Sequence, residues 1–443
     1  MGSFTPWTMI IDLGIISALI LVGKYIRVKF SIVQKFLIPP SVLAGVFGLV
    51  LGPEVLGWLP LSSNLGTYAG ILIAFVFATL PFTSTSSSKD FAKVRRMWGY
   101  SQGGMLLQWA FGGLIGMLVL GHIWPLSDSF GISMPAGFCG GHGSAAALGD
   151  AFSNFGQEEF LTLAMTSATV GIICSIVLGL IFMRIGTRRG YSSCITQAEK
   201  LPEELRTGLV HKGDRKSIGE EVFSGISVST LTFHLSLAAL IVLCGYLLSR
   251  AGATLAEGLE LPVFSCAYLA GILVKAVLKR TKVKEYICPQ TMSGMSGMFT
   301  DYLVAFGIAS IKISVVGQYI VPLTILLVSG LVFTAIYIFW AAKRIFKEYW
   351  FEKAMFSWGW FTGTMAMGMA LLRIADPHSK SKCMDHYAIA YILIAPIEIA
   401  LITFAPMIFS NGYGLWFSFI CFILGLSVLA YMLLSGRKQI NNY

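Results

Sequence analysis

Gly140, Gly141, His142, Gly143 and Ser144 lie inside PAGFCGGHGSAAALGDAF, residues 135–152, and their types suit the holding of a small charged solute. Glycine costs roughly 1 kcal/mol per helix position relative to alanine. Gly137, Gly140, Gly141 and Gly143 together therefore favour a break. Bare backbone at such a break can gather successive N–H groups into a nest for an anion. The helix that follows aims its positive end at the same point, and freed carbonyls can hold Na⁺. His142 could touch a solute or satisfy a buried carbonyl. Asp150 could be a cation ligand or the partner of a nearby donor. The competing reading of the whole stretch is a small-residue face where helices pack closely.

A second broken stretch, 356–374, contains Gly363, Thr364, Met365, Ala366, Met367 and Gly368, followed by LLRIADP. Thr364 offers a hydroxyl and a backbone freed by Gly363. Arg373 could make paired hydrogen bonds to a carboxylate, or pair with Asp376 three residues along the same face. Glu398, between Pro396 and Pro406, could bind or exchange a cation or brace a kinked helix. Thr166, Ser167 and Thr169 could supply hydroxyl ligands, though such residues also mediate helix packing. Asp12 and Asp301 fall near the ends of apolar runs and read as interfacial. The methionines around 292–298 and 365–369 read as flexible packing.

What must position these residues is a membrane-embedded helical scaffold. The 443 residues are 56% hydrophobic and 12% charged, with a mean hydropathy of +0.75; a soluble domain is about 25% charged. The chain therefore reads as an all-α integral membrane protein in a lipid bilayer. Eight cysteines without CxxC spacing, most of them inside apolar runs, read as small core residues and not as a zinc or disulfide framework. No GxxxxGK[ST] loop is present, which argues against ATP drive, and no cluster with metal or nucleophile spacing suggests an enzyme. The net charge of +10 sits in short loops between apolar runs, which speaks against a nucleic-acid surface. The N-terminal run, interrupted by Asp12, reads as a first helix and not a cleaved signal.

Taking about 20 residues per crossing, spans are expected at 8–23, 37–52, 67–82, 99–120, 161–183, 228–248, 261–277, 296–314, 319–341, 386–409 and 415–434. Stretches 135–152 and 356–374 are left over. Loops 24–35, 89–96, 184–216, 275–284 and 343–353, with Lys380, Lys382 and the tail, hold 29 of the 32 Lys and Arg residues. The positive-inside rule then places the N-terminus outside and the C-terminus in the cytoplasm of a cell (inner) membrane. A full crossing by 135–152 would destroy that asymmetry, so the leftover stretches are expected to be re-entrant loops.

SALILVGKYI from Ser17 matches AALIVLCGYL from Ala238, IPPSVLAGVFG from Ile38 matches LPVFSCAYLAG from Leu261, and Gly140 matches Gly363, at nearly one offset of about 223. Five spans per copy is odd, so the copies have opposite orientation. The expected fold is two inverted-topology repeats of five transmembrane helices, each with a re-entrant loop, plus one extra C-terminal transmembrane helix. The divisions are 1–184, a cytoplasmic linker 185–225, 226–410, and 411–443. In such transporters, paired broken segments mark the binding site near the midplane.

IPPSVLAGVFG, GGHGSAAALGDAF and LPVFSCAYLAGIL, in a chain so arranged, resemble the glutamate:sodium symporter family over roughly 10–410. The resemblance implies Na⁺-coupled uptake of glutamate or a related small carboxylate or amino acid, with Na⁺ as coupling ion. It also implies a homodimer; by similarity to citrate carriers of related fold, one domain would carry solute past a static dimerising one. By position it implies a solute site at Gly140–Ser144 with the second tip at Gly363, Thr364 and Gly368; Arg373, which follows that tip, is added as a candidate only by its guanidinium chemistry. Asp150, Thr166, Thr169, Thr364 and Glu398 are the candidate Na⁺ ligands. A methionine-rich second tip and the extra last span depart from the family pattern and leave the solute open. The other readings are a sodium/proton antiporter with Glu398 as ion carrier, and a channel or membrane sensor.

Overall fold

A computed structural model describes residues 5–83, 91–194, 203–215, 217–224, 226–255, 262–376 and 379–438. Regular structure among the described residues is helical throughout. In chain order the main helices are α1 (Pro6–Lys29), α2 (Pro40–Leu51), α3 (Leu65–Thr83) and α4 (Phe91–Ile123). The short pair α5 (Ser133–Phe138) and α6 (Gly141–Ser153) follows, then α7 (Glu159–Arg188). The later half runs α8 (Thr230–Leu255), α9 (Val263–Leu278), α10 (Pro289–Ala309) and α11 (Ile320–Ile345). It continues with the pair α12 (Trp350–Thr362) and α13 (Met365–Ala375), α14 (Cys383–Ser410) and α15 (Gly414–Lys438).

Eight of these helices, α1, α3, α4, α7, α8, α11, α14 and α15, are long and apolar enough to cross a membrane. Helices occupy all eleven positions at which a span is expected, but three depart from that expectation. The expected span 37–52 is a helix of only 12 residues, opened by Pro40 after Pro39 and closed at Gly52. At 1.5 Å per residue it is about 18 Å long, short of a bilayer core of about 30 Å. The span expected at 261–277 is also short, with 16 residues. The span expected at 296–314 begins instead at Pro289, because Pro at the first helical position is pre-set for a helix start. Asp301 consequently lies in the body of α10, not near an end. Asp12 is fully buried and accepts from the Ser62 N–H (2.9 Å), the Ser62 hydroxyl (2.5 Å) and the Tyr68 hydroxyl (3.0 Å).

The chain forms two compact units, and each draws on both sequence halves. One holds Met1–Lys29, Pro39–Thr85 and Gly208–Ile311, and so contains α1–α3 and α8–α10. The other holds Phe30–Ile38, Ser86–Thr207 and Lys312–Tyr443, and so contains α4–α7 and α11–α15. Every candidate solute or Na⁺ residue falls in the second unit. Of the linker expected at 185–225, the described residues begin inside α7, which runs to Arg188, and include a short helix at Glu203–Thr207.

Within the second unit α4 is central. Its Gln108 amide donates to the Thr334 hydroxyl (2.9 Å) on α11 and to the Phe361 carbonyl (3.0 Å) on α12. Tyr337 of α11 donates to the Tyr100 carbonyl at 2.7 Å, and Tyr100 donates back to the Ile338 carbonyl at 3.1 Å. The last helix, α15, packs along α4 so closely that a Cβ on Gly113 would lie 2.1 Å from the Ser418 hydroxyl oxygen. The second broken stretch begins earlier than expected, at Trp350. Lys353, expected in a basic loop, is therefore buried inside α12 beside the fully buried Glu352.

Candidate functional site

The two breaks fall at matching places, between α5 and α6 at Cys139–Gly140 and between α12 and α13 at Gly363–Thr364. Local chemistry explains the first. Gly140 and Gly141 have φ of +105° and +63°, a region that side chains disfavour. Space also requires glycine at 140: the Ser144 hydroxyl oxygen lies 2.0 Å from where a Gly140 Cβ would be, and Glu398 Oε1 lies 3.1 Å from it. At the second break Thr364 caps α13, its hydroxyl accepting from the Met367 N–H at 3.4 Å.

The two tips touch. A Cβ on Gly141 would stand 2.8 Å from the Gly363 carbonyl oxygen and 2.8 Å from the Thr364 methyl. The helices that begin there, α6 and α13, therefore bring two positive ends and their free N–H groups to one place. Two lone α-helices could not span from such a tip. The 13 residues of α6 and 11 of α13 reach about 20 and 17 Å.

Oxygens gather on the other side of Gly140. Glu398 is buried on α14 and accepts from the Tyr391 hydroxyl at 3.2 Å. Its other oxygen and the Ser144 hydroxyl crowd the same vacant Cβ position. Tyr387, one turn before Tyr391 and stacked on it, is fully buried; its hydroxyl has no partner among the described residues, and it lies within electrostatic reach of Glu398 and Cys139. A carboxylate and two hydroxyls make an oxygen-rich set of the kind a hard cation favours.

His142, in the first turn of α6, is buried at 1% exposure. Its Nε2 lies 3.1 Å from the Thr169 hydroxyl on α7, while its Nδ1 is buried with no partner among the described residues.

Other expected site residues lie elsewhere. Asp150 is nine positions past Gly141 on α6, about 14 Å along the helix axis. Arg373 is exposed and eight positions past Met365, about 12 Å from the start of α13. It makes no ion pair with Asp376 among the described residues. The Asp376 oxygens accept from the Lys380 N–H (2.9 Å) and the Ser381 N–H (2.7 Å). Thr166 turns its hydroxyl back to the Thr162 carbonyl at 2.7 Å, the usual satisfaction of a hydroxyl within its own helix. Gly368 faces the other leg of its own pair, where a Cβ would sit 2.6 Å from the Phe356 carbonyl oxygen. Gly143 follows His142 in the first turn of α6 and is half-buried.

Tyr391, which bonds Glu398, and Tyr387 and Cys139, within its electrostatic reach, were not singled out in the sequence. The signal was present: residues 387, 391 and 398 are spaced by four and seven, one face of one helix. A buried carboxylate needs partners, and that face was the place to seek them.

A second polar cluster lies at the base of the α12–α13 pair. Glu352 Oε1 accepts from the Ser193 N–H (2.6 Å), the Ser192 hydroxyl (3.1 Å) and the Cys194 N–H (3.2 Å). Burial opposes the charge on Asp376, but donors from Ser381 and Lys380 outweigh it and hold its pKa below the ordinary carboxylate value.

The family model described as sodium/glutamate symporter matches residues 8–368. No curated protein matches the chain.

Proposed function

The chain belongs to the sodium/glutamate symporter family, and from that premise we propose that it takes up glutamate with Na⁺ at the meeting point of its two tips. It is a multi-pass membrane transporter and not an enzyme; the family name implies Na⁺ as coupling ion and glutamate as solute. The observation that carries the reading is the contact of Gly141 with Gly363 and Thr364, which joins two helix starts to one buried carboxylate.

In this reading the helix starts hold solute carboxylates through free N–H groups. They replace Arg373, whose exposed place on α13 does not suit that role. Na⁺ sits between Glu398, Ser144 and tip carbonyls. A cation there offsets solute charge and lowers the cost of bringing a dianion into a site away from water. Neither ligand alone is stabilised as well as the pair, which is the thermodynamic content of coupling.

The broken pairs α5–α6 and α12–α13 serve as re-entrant hairpins from opposite faces of the bilayer. Their matching place in α1–α7 and α8–α14, at an offset of about 223, supports inverted repeats. The unit that holds both tips is the carrier of an elevator-type movement, and the unit of α1–α3 and α8–α10 is the static, dimer-forming part. The basic loops are cytoplasmic, with the N-terminus outside.

Uptake of labelled glutamate into proteoliposomes, with and without an inward Na⁺ gradient, tests this function. Saturable uptake that depends on the gradient is expected. Uptake indifferent to Na⁺ would remove the coupling, and no saturable uptake would remove the function.

A further inference from the structure

His142 carries an unused acceptor at the tip. The Thr169 hydroxyl has one hydrogen, and it donates to the Met165 carbonyl at 2.9 Å. It can then meet His142 Nε2, 3.1 Å away, only as an acceptor. Both bonds are made together when Nε2 carries the ring proton. A neutral imidazole so fixed leaves Nδ1 as a bare lone pair. That nitrogen is buried and without a partner among the described residues. It is bonded directly to the ring carbon nearest the backbone, so it stays beside the tip and not at the far end of the ring.

From this we infer that His142 Nδ1 accepts a hydrogen bond from the ammonium group of the solute. The site is thereby specific for α-amino acids over carboxylates of the same shape that lack the amino group. The inference rests on the proposed function, and it names what that reading leaves open. A buried acceptor left unmet is costly, so a solute that brings an N–H gains at this point and one that brings a C–H does not. The α6 start beside it favours carboxylate, and the adjacent lone pair favours a donor. One residue step along the tip thus offers complements to both charged groups of an amino acid.

The test compares L-glutamate with glutarate, its analogue without the amino group, as competitors of labelled glutamate uptake by the full-length protein in proteoliposomes with a Na⁺ gradient. In the wild type, glutarate should compete about 10- to 100-fold less well, the equivalent of one hydrogen bond to a buried group. His142→Gln places its amide where Nε2 was, keeps a donor for Thr169 and removes the lone pair at Nδ1. Its preference for glutamate should fall to about threefold or less. His142→Asn places its amide oxygen near Nδ1 and should keep a preference of about 10-fold or more. Equal competition by both solutes in the wild type overturns the inference, as does a Gln variant that keeps the wild-type ratio. If either variant is inactive in uptake, the same ratio is read from stabilisation of the purified variant against heat by each solute in Na⁺. Wild-type protein that takes up no glutamate would instead refute the function itself.

Discussion

Adding one methyl group at Gly141 should separate the two tips. Gly141 has φ of +63°, and its added Cβ would lie 2.8 Å from both the Gly363 carbonyl oxygen and the Thr364 methyl. The left-handed backbone costs an alanine about 1–2 kcal/mol, and overpacking against a backbone carbonyl adds about 1–3 kcal/mol. Together these take about 2–5 kcal/mol from the state in which the tips meet, a loss of about 30-fold or more in apparent affinity. Gly57→Ala separates the two causes. Gly57 has a similar φ of +67°, and its Cβ would meet nothing within 4 Å. It should lose stability by the backbone term alone and keep the wild-type apparent affinity. The assay is the concentration dependence of Na⁺-driven glutamate uptake, beside circular dichroism and gel filtration of each purified variant. Gly141→Leu should bind no solute while remaining folded. An apparent affinity for Gly141→Ala within twofold of wild type would refute the reasoning, since the contact would then hold nothing.

Glu398→Gln removes the buried charge but keeps the shape, and should raise the Na⁺ concentration for half-maximal uptake by about 10-fold or more; an unchanged Na⁺ dependence would place the cation elsewhere. Tyr391→Phe loses one hydrogen bond to that carboxylate and should cost about 1 kcal/mol, read as a shift of about fivefold in the same curve. Arg373→Gln should leave apparent glutamate affinity within about twofold, because the side chain is exposed and away from the tips; loss of uptake in that variant alone would restore it as the carboxylate partner. The depressed pKa of Asp376 stabilises the fold above the unfolded carboxylate value of about 4, and that stabilisation is lost as pH falls through the lower folded value. Hydrogen exchange at the Lys380 and Ser381 amides should therefore stay protected at pH 5 in the wild type and be lost there in Asp376→Asn.

Periodicity and breakage were legible in the sequence, and long-range pairing was not. Four glycines in seven residues marked the first break, and the match of Gly140 to Gly363 marked the second. Apolar length gave the positions of the helices, but not the 12-residue α2, since Pro39 and Gly52 cut into a run that stays apolar beyond them. Arg373 looked functional because a cation is rare in such a stretch. Whether it faces the tip or the outside depends on distance along α13 and on neighbours from other parts of the chain. The place of Asp150 was hidden for the same reason, as six residues of sequence past Ser144 are nearly two helical turns away from it. Glu398 stood out by its cost in an apolar helix. Its closeness to Gly140, some 250 residues earlier, could be read only from the fold.

Where the solute sits decides how the two tips work. Density for glutamate in a structure of the protein determined with Na⁺ and glutamate is the direct measurement. We expect it in contact with both Gly141–His142 and Gly363–Thr364, with a cation density beside Glu398 and Ser144. Solute density that touches neither tip, or only one while the other remains distant, would contradict the account.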